Sequence, residues 1–224
     1  MAEDRDWEVE LLLDEIRDEV RATAHLTGRS VLDRRVFDAL RAVPRRAFVP
    51  VDLAASAYAN HPLPIGHGQT ISQPYIVALM SDLIRPEPDD VVLEVGTGSG
   101  YQTAVLACLV RQVYSVEIID ALAEQARRRL QRMGFDNVEV RSGDGGLGWP
   151  EHAPYDAIMV TAAARSVPPA LIEQLRPGGT LVIPVGSGYF GQELITLGKD
   201  EAGQVSERRV LPVAFVPLTG GASD

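Results

Sequence analysis

The stretch Val91-Val92-Leu93-Glu94-Val95-Gly96-Thr97-Gly98-Ser99-Gly100-Tyr101 constrains this chain more than any other. An apolar run leads into Glu94, and a loop with glycine at every second position comes next. Gln102-Thr103-Ala104-Val105-Leu106-Ala107 then continues with good helix formers. Strand, glycine turn and helix in this order place unpaired backbone N–H groups beside a nucleotide-like ligand. Glycine permits the positive φ and the close backbone approach that such a turn needs. The plain alternative is a tight turn between a buried strand and a helix, so the loop needs support from the rest of the chain.

Residues downstream of the loop supply that support. Gln112-Val113-Tyr114-Ser115-Val116-Glu117 reads as a second strand ending in a carboxylate, and Asp120 as the cap of a helix that Gly134 ends. Val138-Glu139-Val140-Arg141 is a third strand, followed by the glycine-rich turn Ser142-Gly143-Asp144-Gly145-Gly146. Tyr155-Asp156-Ala157-Ile158-Met159-Val160, nearly apolar throughout, reads as a buried parallel strand. Pro168 opens a short helix through Leu175, and Pro177-Gly178-Gly179 turns into a strand over 180–185. Two last strands fit 193–199 and 207–218, with Glu201-Ala202-Gly203-Gln204 as the turn between them. Strands alternating with helices from 91 to 185 predict parallel βαβ units. The last two strands, joined by a short turn, pair antiparallel. The expected fold is α/β: a doubly wound, mostly parallel, seven-stranded Rossmann-like sheet.

Upstream, Val9, Leu12, Leu13, Ile16, Val20 and Ala24 fall at helical spacing between Trp7 and Leu26, and Gly28 ends that helix. Ser30 then caps a second helix, with Val31, Leu32, Val36, Leu40 and Val43 on its apolar side and Pro44 as its stop. These helices form an N-terminal layer on the sheet. The expected division is one domain over 1–224, with N-terminal helices and a substrate loop over 1–85 and the sheet and its final strands over 86–224.

Residues 60–75 hold too much glycine, proline and polar side chain for a helix or a central strand. Ser72 precedes an apolar helical run over 75–84. It is placed to cap that helix, with Pro74 tolerated in the first turn, and capping is compatible with a contact in a reaction.

Charge and cysteine content narrow the partners. Lysine and arginine number 21 against 31 acids, a formal charge of −10, which argues against a nucleic-acid binder. The one cysteine, Cys108, allows no internal disulfide and fits a reducing compartment; in its apolar helical run it reads as a buried packing residue. The acidic start Met1-Ala2-Glu3-Asp4-Arg5-Asp6 is unlike a secretory leader, and no apolar run approaches the roughly 18 residues of a membrane span. A cytoplasmic protein with no membrane partner is expected. His61 and His67 lack the spacing of a helical metal pair, so no metal is assigned.

In an open α/β sheet the ligand lies across the C-terminal strand tips, where the loop 96–100, Glu117 and Asp144 converge. A nicotinamide fingerprint is G-x-G-x-x-G, whereas this chain has G-x-G-x-G. The alternative adenosine cofactor is S-adenosylmethionine. Glycine amides suit its amino-acid tail, Glu117 at the next strand tip suits its ribose hydroxyls, and Asp144 suits its adenine amino group.

Several longer strings carry a resemblance: Val43-Pro44-Arg45-Arg46-Ala47-Phe48-Val49-Pro50, residues 63–75, residues 92–107, Gly143-Asp144-Gly145, Pro154-Tyr155-Asp156-Ala157-Ile158, Val160-Thr161-Ala162-Ala163, residues 175–186 and Phe215-Val216-Pro217-Leu218. In these the chain resembles the protein-L-isoaspartate O-methyltransferase family, from about residue 43 to 218. Gln69-Thr70-Ile71-Ser72-Gln73-Pro74 discriminates best, because generic methyltransferases lack it.

The resemblance implies methyl transfer from S-adenosyl-L-methionine to isoaspartyl residues of damaged proteins, by a monomer. It implies Ser72 as the active-site residue. It puts Thr70, Ile71, Glu94, Gly96, Thr97, Gly98, Ser99, Gly100, Gln102, Thr103, Glu117, Ile118, Asp144 and Gly145 on the cofactor. It puts Ile65, Gln69, Ser72, Thr161, Ala162, Val185 and Gly186 on the substrate. The loop Ser187-Gly188-Tyr189-Phe190-Gly191 reads as a connection between strands.

The chemistry agrees. A carboxylate acceptor, with an ordinary pKa of about 3.9, is ionised at neutral pH and needs no general base. A sulfonium and a carboxylate both lose charge during transfer, so a cation clamped on the carboxylate favours the ground state. A neutral hydroxyl such as Ser72 orients the acceptor without that penalty. Two other readings stay open: methylation of a normal aspartate in a dedicated peptide, and a non-catalytic cofactor-binding role.

Overall fold

In a computed structural model that describes residues 6–187 and 191–221, the apolar runs become the middle of a seven-stranded sheet. Its strands are β3 (Val91–Val95), β4 (Gln112–Glu117), β5 (Val138–Ser142), β6 (Tyr155–Val160), β7 (Leu175–Ser187), β8 (Gly191–Lys199) and β9 (Val205–Val213). Their spatial order is β5-β4-β3-β6-β7-β8-β9. The first five pair in parallel, and β8 and β9 are antiparallel additions. The order reverses between β3 and β6, which puts the topological switch beside the glycine loop.

The central strands are apolar on both faces because both faces are covered. Val92, Ala157 and Met159 join one core with helices α1 (Asp6–Thr27), α2 (Arg34–Ala42), α3 (Pro74–Leu83), α4 (Tyr101–Ala107) and α5 (Asp120–Arg132). Leu93, Ile158 and Val160 join the other, beneath α6 (Pro169–Gln174). On α1, Leu12, Leu13, Ile16 and Val20 are buried. Each contributes about 1.5–3 kcal/mol relative to exposure, enough to hold the N-terminal layer on the sheet.

Tertiary contacts override several local expectations. Asp33, not Ser30, caps α2: its Oδ1 accepts the Arg35 N–H at 2.8 Å, while Asp82 of α3 holds the Asp33 N–H at 2.7 Å. Val31 is consequently 77% exposed. Ser72 does not cap α3. The N-cap position is Gln73, and Asn60 accepts the Tyr75 N–H at 3.0 Å from across the chain. Asp120 is the first residue of α5 rather than its cap, and its carboxylate accepts from the Ser142 hydroxyl. Cys108 is exposed at the end of α4, because the helix is one turn shorter than its apolar run.

Pro177-Gly178-Gly179 does not precede the fifth parallel strand. It lies inside β7 as an irregularity, where Tyr155 pairs with Leu175 but Ala157 pairs with Thr180. The last strand ends at Val213, before Pro217, so 215–218 is not its continuation. Residues 60–75 contain a hairpin, β1 (Leu63–Gly66) with β2 (Gln69–Ile71), that stands apart from the main sheet. His67 and Gly68 at its tip both have positive φ, 54° and 70°, as a two-residue mirror-image turn requires. In the loop 187–191, residues 188–190 lie outside the described residues.

Candidate active site

The glycine loop leaves β3 where Gly96 has φ +96°. A Cβ there would collide with the Thr161 hydroxyl, which donates to the Gly96 carbonyl at 2.6 Å. Glycine at 96 is therefore needed for conformation and for the close approach of β6 to the loop. The loop is not a row of vacant amides, which corrects the first expectation. Gly96 N–H goes to the Val116 carbonyl at 2.8 Å, Gly98 N–H to Glu117 Oε2 at 2.8 Å, and Gly100 N–H to the Thr97 carbonyl at 2.8 Å. These three glycine amides are spent on folding the loop, so Gly96, Gly98 and Gly100 offer a shaped wall rather than an anion cradle.

Glu117 stands at the tip of β4, 5% exposed, and borders the cleft. Each of its oxygens already holds one backbone N–H: Oε2 that of Gly98, and Oε1 that of Ile119 at 3.0 Å. A carboxylate accepts about four hydrogen bonds, so capacity for two hydroxyls remains. Glu117 thus joins β4, the glycine loop and the start of α5 at one point.

Glu94 is different. It is fully buried beneath the loop, where its Oε2 accepts from the Thr103 hydroxyl at 2.5 Å and the Ser115 hydroxyl at 2.6 Å. Ser115 also bonds the Thr97 hydroxyl, and Glu94 Oε1 has no partner among the described residues. Burial pushes the Glu94 carboxyl up to about 8, against the pull of those two hydroxyls, so the group is mostly protonated at neutral pH. Glu94, Thr97 and Thr103 brace the loop from behind.

Three hollows adjoin. The first is bordered by Gln69, Gly96, Gly98, Glu117, Ile118, Gly145 and Ala162. The second, a groove of about 490 Å³, is bordered by Glu19, Ser72, Gln73, Tyr75 and Phe215. A small one between them touches Ile71, Ser72, Ser99 and Gln102. Thr70 and Thr161 border all three. Ser72 therefore stands where the strand-tip cleft meets the groove, and its hydroxyl makes no hydrogen bond among the described residues.

Several expected residues lie elsewhere. Gln69 and Ala162 border the strand-tip cleft rather than the groove. Ile65 packs toward Gly98. Gly186 opens on a separate hollow with Arg165 and Gln192, and Val185 pairs with Ala164 on the β7 side. The Asp144 carboxylate accepts the Gly146 N–H at 2.8 Å and packs against Gly220.

The reading of the sequence missed the segment that roofs the cleft. Val216, Pro217, Leu218 and Thr219 border the strand-tip hollow. Ala163 bonds this segment in both directions, through the Val216 carbonyl and the Leu218 N–H, each at 2.8 Å. The Gln192 side chain clamps Phe215, donating to its carbonyl at 2.9 Å and accepting its N–H at 2.6 Å. Pro217 was the available signal, since proline breaks a strand ladder. Arg45 was also missed. It is fully buried behind Ser72, donating to the Ser72 carbonyl at 2.8 Å and the Ala57 carbonyl at 2.9 Å, with its guanidinium over the Tyr101 ring. Desolvation lowers its pKa to about 10, so it stays charged.

A further depression of about 400 Å³ lies between α1 and α2, but the arginines on it are paired, Arg17 with Asp14 and Arg41 with Glu10 and Asp38. No strand tip reaches it. No helix among the described residues is long and apolar enough to cross a membrane.

Comparison with known proteins agrees with this geometry. Residues 22–223 match the family described as protein-L-isoaspartate(D-aspartate) O-methyltransferase. A protein-L-isoaspartate O-methyltransferase 2 of Polaromonas sp. is 61% identical over 209 residues, 93% of this chain and 99% of the relative. One of Syntrophobacter fumaroxidans is 58% identical over 207 residues, 92% of this chain and 84% of the relative. A solved protein-L-isoaspartate O-methyltransferase superposes with a TM-score of 0.79 at 26% identity over 94% of this chain, which spans 66% of that one. A structure from Plasmodium falciparum, solved with S-adenosyl-L-homocysteine, shares the fold with a TM-score of 0.77 at 24% identity, covering 95% and 98% of the two chains. The match spans both the strand-tip cleft and the groove that meets it at Ser72, and the chain belongs to the protein-L-isoaspartate(D-aspartate) O-methyltransferase family.

Proposed function

We propose that this protein transfers a methyl group from S-adenosyl-L-methionine to the free carboxylate of L-isoaspartyl residues in peptides and proteins. The observation that carries the reading is the junction at Ser72. An acceptor groove and a strand-tip cleft share Thr70 and Thr161, and among the described residues no basic side chain borders either hollow at that junction.

The residues fit the methyl donor. Gly96 and Gly98 line the cleft without side chains, Glu117 keeps acceptor capacity beside it, and the segment 216–219 borders it from the other side. When bound, S-adenosyl-L-methionine supplies an electrophilic methyl on a positively charged sulfur. Glu117 would hold the ribose hydroxyls. Gly145, with Asp144 adjoining it in the chain, would lie toward the adenine. Gly96 and Gly98 would wall the amino-acid tail.

On the other side, Ser72 donates its hydroxyl to the isoaspartyl carboxylate and fixes its direction. The acceptor is already ionised, so no residue of the chain needs to take a proton. Arg45 holds the Ser72 backbone from behind, and its charge is directed to two carbonyls rather than to the acceptor. That arrangement leaves the acceptor carboxylate without a counter-ion in the ground state and gives its attack the larger share of the binding energy. Positioning and exclusion of water by the roof segment supply the rest of the acceleration.

We read the chain as one catalytic domain acting as a monomer in the cytoplasm, without a nucleic-acid or membrane partner. The deciding experiment is methyl transfer to a matched peptide pair, one with isoaspartate and one with normal aspartate. Transfer to the isoaspartyl peptide alone is expected. Transfer to neither, or to normal aspartate, would overturn the assignment.

A further inference from the structure

Helix α1 reaches into the acceptor groove with one residue. Glu19 borders the groove beside Pro62, Ser72, Gln73 and Phe215. Its Oε2 accepts from the Asn60 amide at 2.8 Å, and both of its oxygens accept from the Gln73 amide, at 3.0 and 3.2 Å. These donors are neutral, so they fix the carboxylate without cancelling its charge. Asn60 is itself tied to the start of α3 through the Tyr75 N–H, and Gln73 adjoins Ser72. The carboxylate is therefore held at a set place relative to the reacting centre. Every other described residue bordering the groove is uncharged: proline, threonine, serine, glutamine, tyrosine or aliphatic and aromatic side chains. Arg45, the buried cation behind Ser72, does not border it. Glu19 also precedes the residues matched by the family, which begin at 22.

We propose that Glu19 is a specificity-determining residue that selects acceptor peptides with a lysine or arginine near the isoaspartate and disfavours those with an acid there. The inference rests on the isoaspartyl reading and deepens it. A groove of about 490 Å³ holds side chains on either side of the acceptor, and a single fixed charge among neutral walls discriminates by Coulomb attraction and repulsion. Its effect falls on encounter and binding rather than on the transfer step, because Glu19 borders the groove but neither the strand-tip cleft nor the small hollow between them.

The test uses the full-length protein and isoaspartyl peptides that differ only in one flanking residue, lysine or glutamate, placed at each of two positions before and after the isoaspartate. For at least one position, kcat/KM should favour lysine by about tenfold, mainly through KM, and the ratio should shrink with added salt. Glu19→Gln keeps one oxygen, at the Oε2 position, to accept from both Asn60 and Gln73, and should bring that ratio close to one. Glu19→Lys should invert it. Affinity for S-adenosyl-L-homocysteine should stay at the wild-type value in both variants. A wild-type ratio near one at all positions, or a ratio that survives Glu19→Gln, would overturn the inference and leave the isoaspartyl reading standing. Failure of the wild-type protein to methylate any of these peptides would overturn both.

Discussion

The floor of the strand-tip cleft is made at the ends of three consecutive parallel strands: Gly96 just after β3, Glu117 as the last residue of β4, and Gly145 just beyond β5. The groove side takes Glu19 from α1, Ser72 from the segment after the β1–β2 hairpin, and Val213 and Phe215 from the end of β9 and beyond it. One side is therefore built by a repeating βαβ rule that any such sheet obeys. The other is built from segments drawn from both ends of the chain and joined by contacts between elements, among them Asn60 with Tyr75, Glu19 with Gln73, and Gln192 with Phe215. The strand-tip floor is thus generic, while the roof over it and the acceptor groove depend on parts that only the folded layer brings together.

Substitutions that break one side and spare the other test this division. The largest expected effect is from Ser72→Ala, which should lower kcat on an isoaspartyl peptide by about 100-fold through lost orientation of the acceptor, with cofactor affinity unchanged by calorimetry. An activity loss matched by an equal loss of thermal stability would return Ser72 to a packing role. Glu117→Ala should do the reverse. Removing the acceptor of the ribose hydroxyls and of the Gly98 and Ile119 N–H groups should weaken cofactor binding by about 10- to 100-fold, while KM for the peptide at saturating cofactor stays close to wild type.

Glu94→Gln sharpens the comparison from beneath the loop. The Glu94 carboxyl lies at about 8 in the folded protein against 4.5 as the ordinary value. Its raised pKa means that its contribution to stability is whole below pH 4.5 and is lost progressively as pH rises to about 8. The stability of the glutamine variant relative to wild type should therefore rise across that window in urea titrations. A difference independent of pH would mean that Glu94 does not carry this proton. The smallest effect is expected from Asp144→Asn, which should narrow the preference for adenosine over inosine forms of the cofactor by a few-fold. An unaltered preference would remove Asp144 from adenine recognition.

Much of the molecule was legible before folding because local chemistry and global arrangement agree. The apolar runs 91–95, 112–117 and 155–160 became β3, β4 and β6 at nearly the expected limits, and Gly28 and Gly134 each end a helix with positive φ. Where a local rule failed, a distant partner had taken its place. Ser30 lost the α2 cap to Asp33, which Asp82 anchors, and Ser72 was relieved of capping by Asn60. Pro217, read as part of a strand, belongs instead to a roof held by Ala163 and Gln192.

By itself the sequence determined the α/β alternation, the position of the switch point, and the strand tips that carry Glu117 and the glycine loop. These follow from hydrophobic period and glycine placement, which act over a few residues. Only the tertiary structure decided that Glu94 is a buried brace rather than a border of the cleft, that the glycine amides of the loop are already bonded, and that Glu19 shares a groove with Ser72. Those outcomes depend on desolvation and on hydrogen bonds between segments far apart in the chain. Neither is encoded in local spacing, because both are set by which surfaces the packed helices leave open to water.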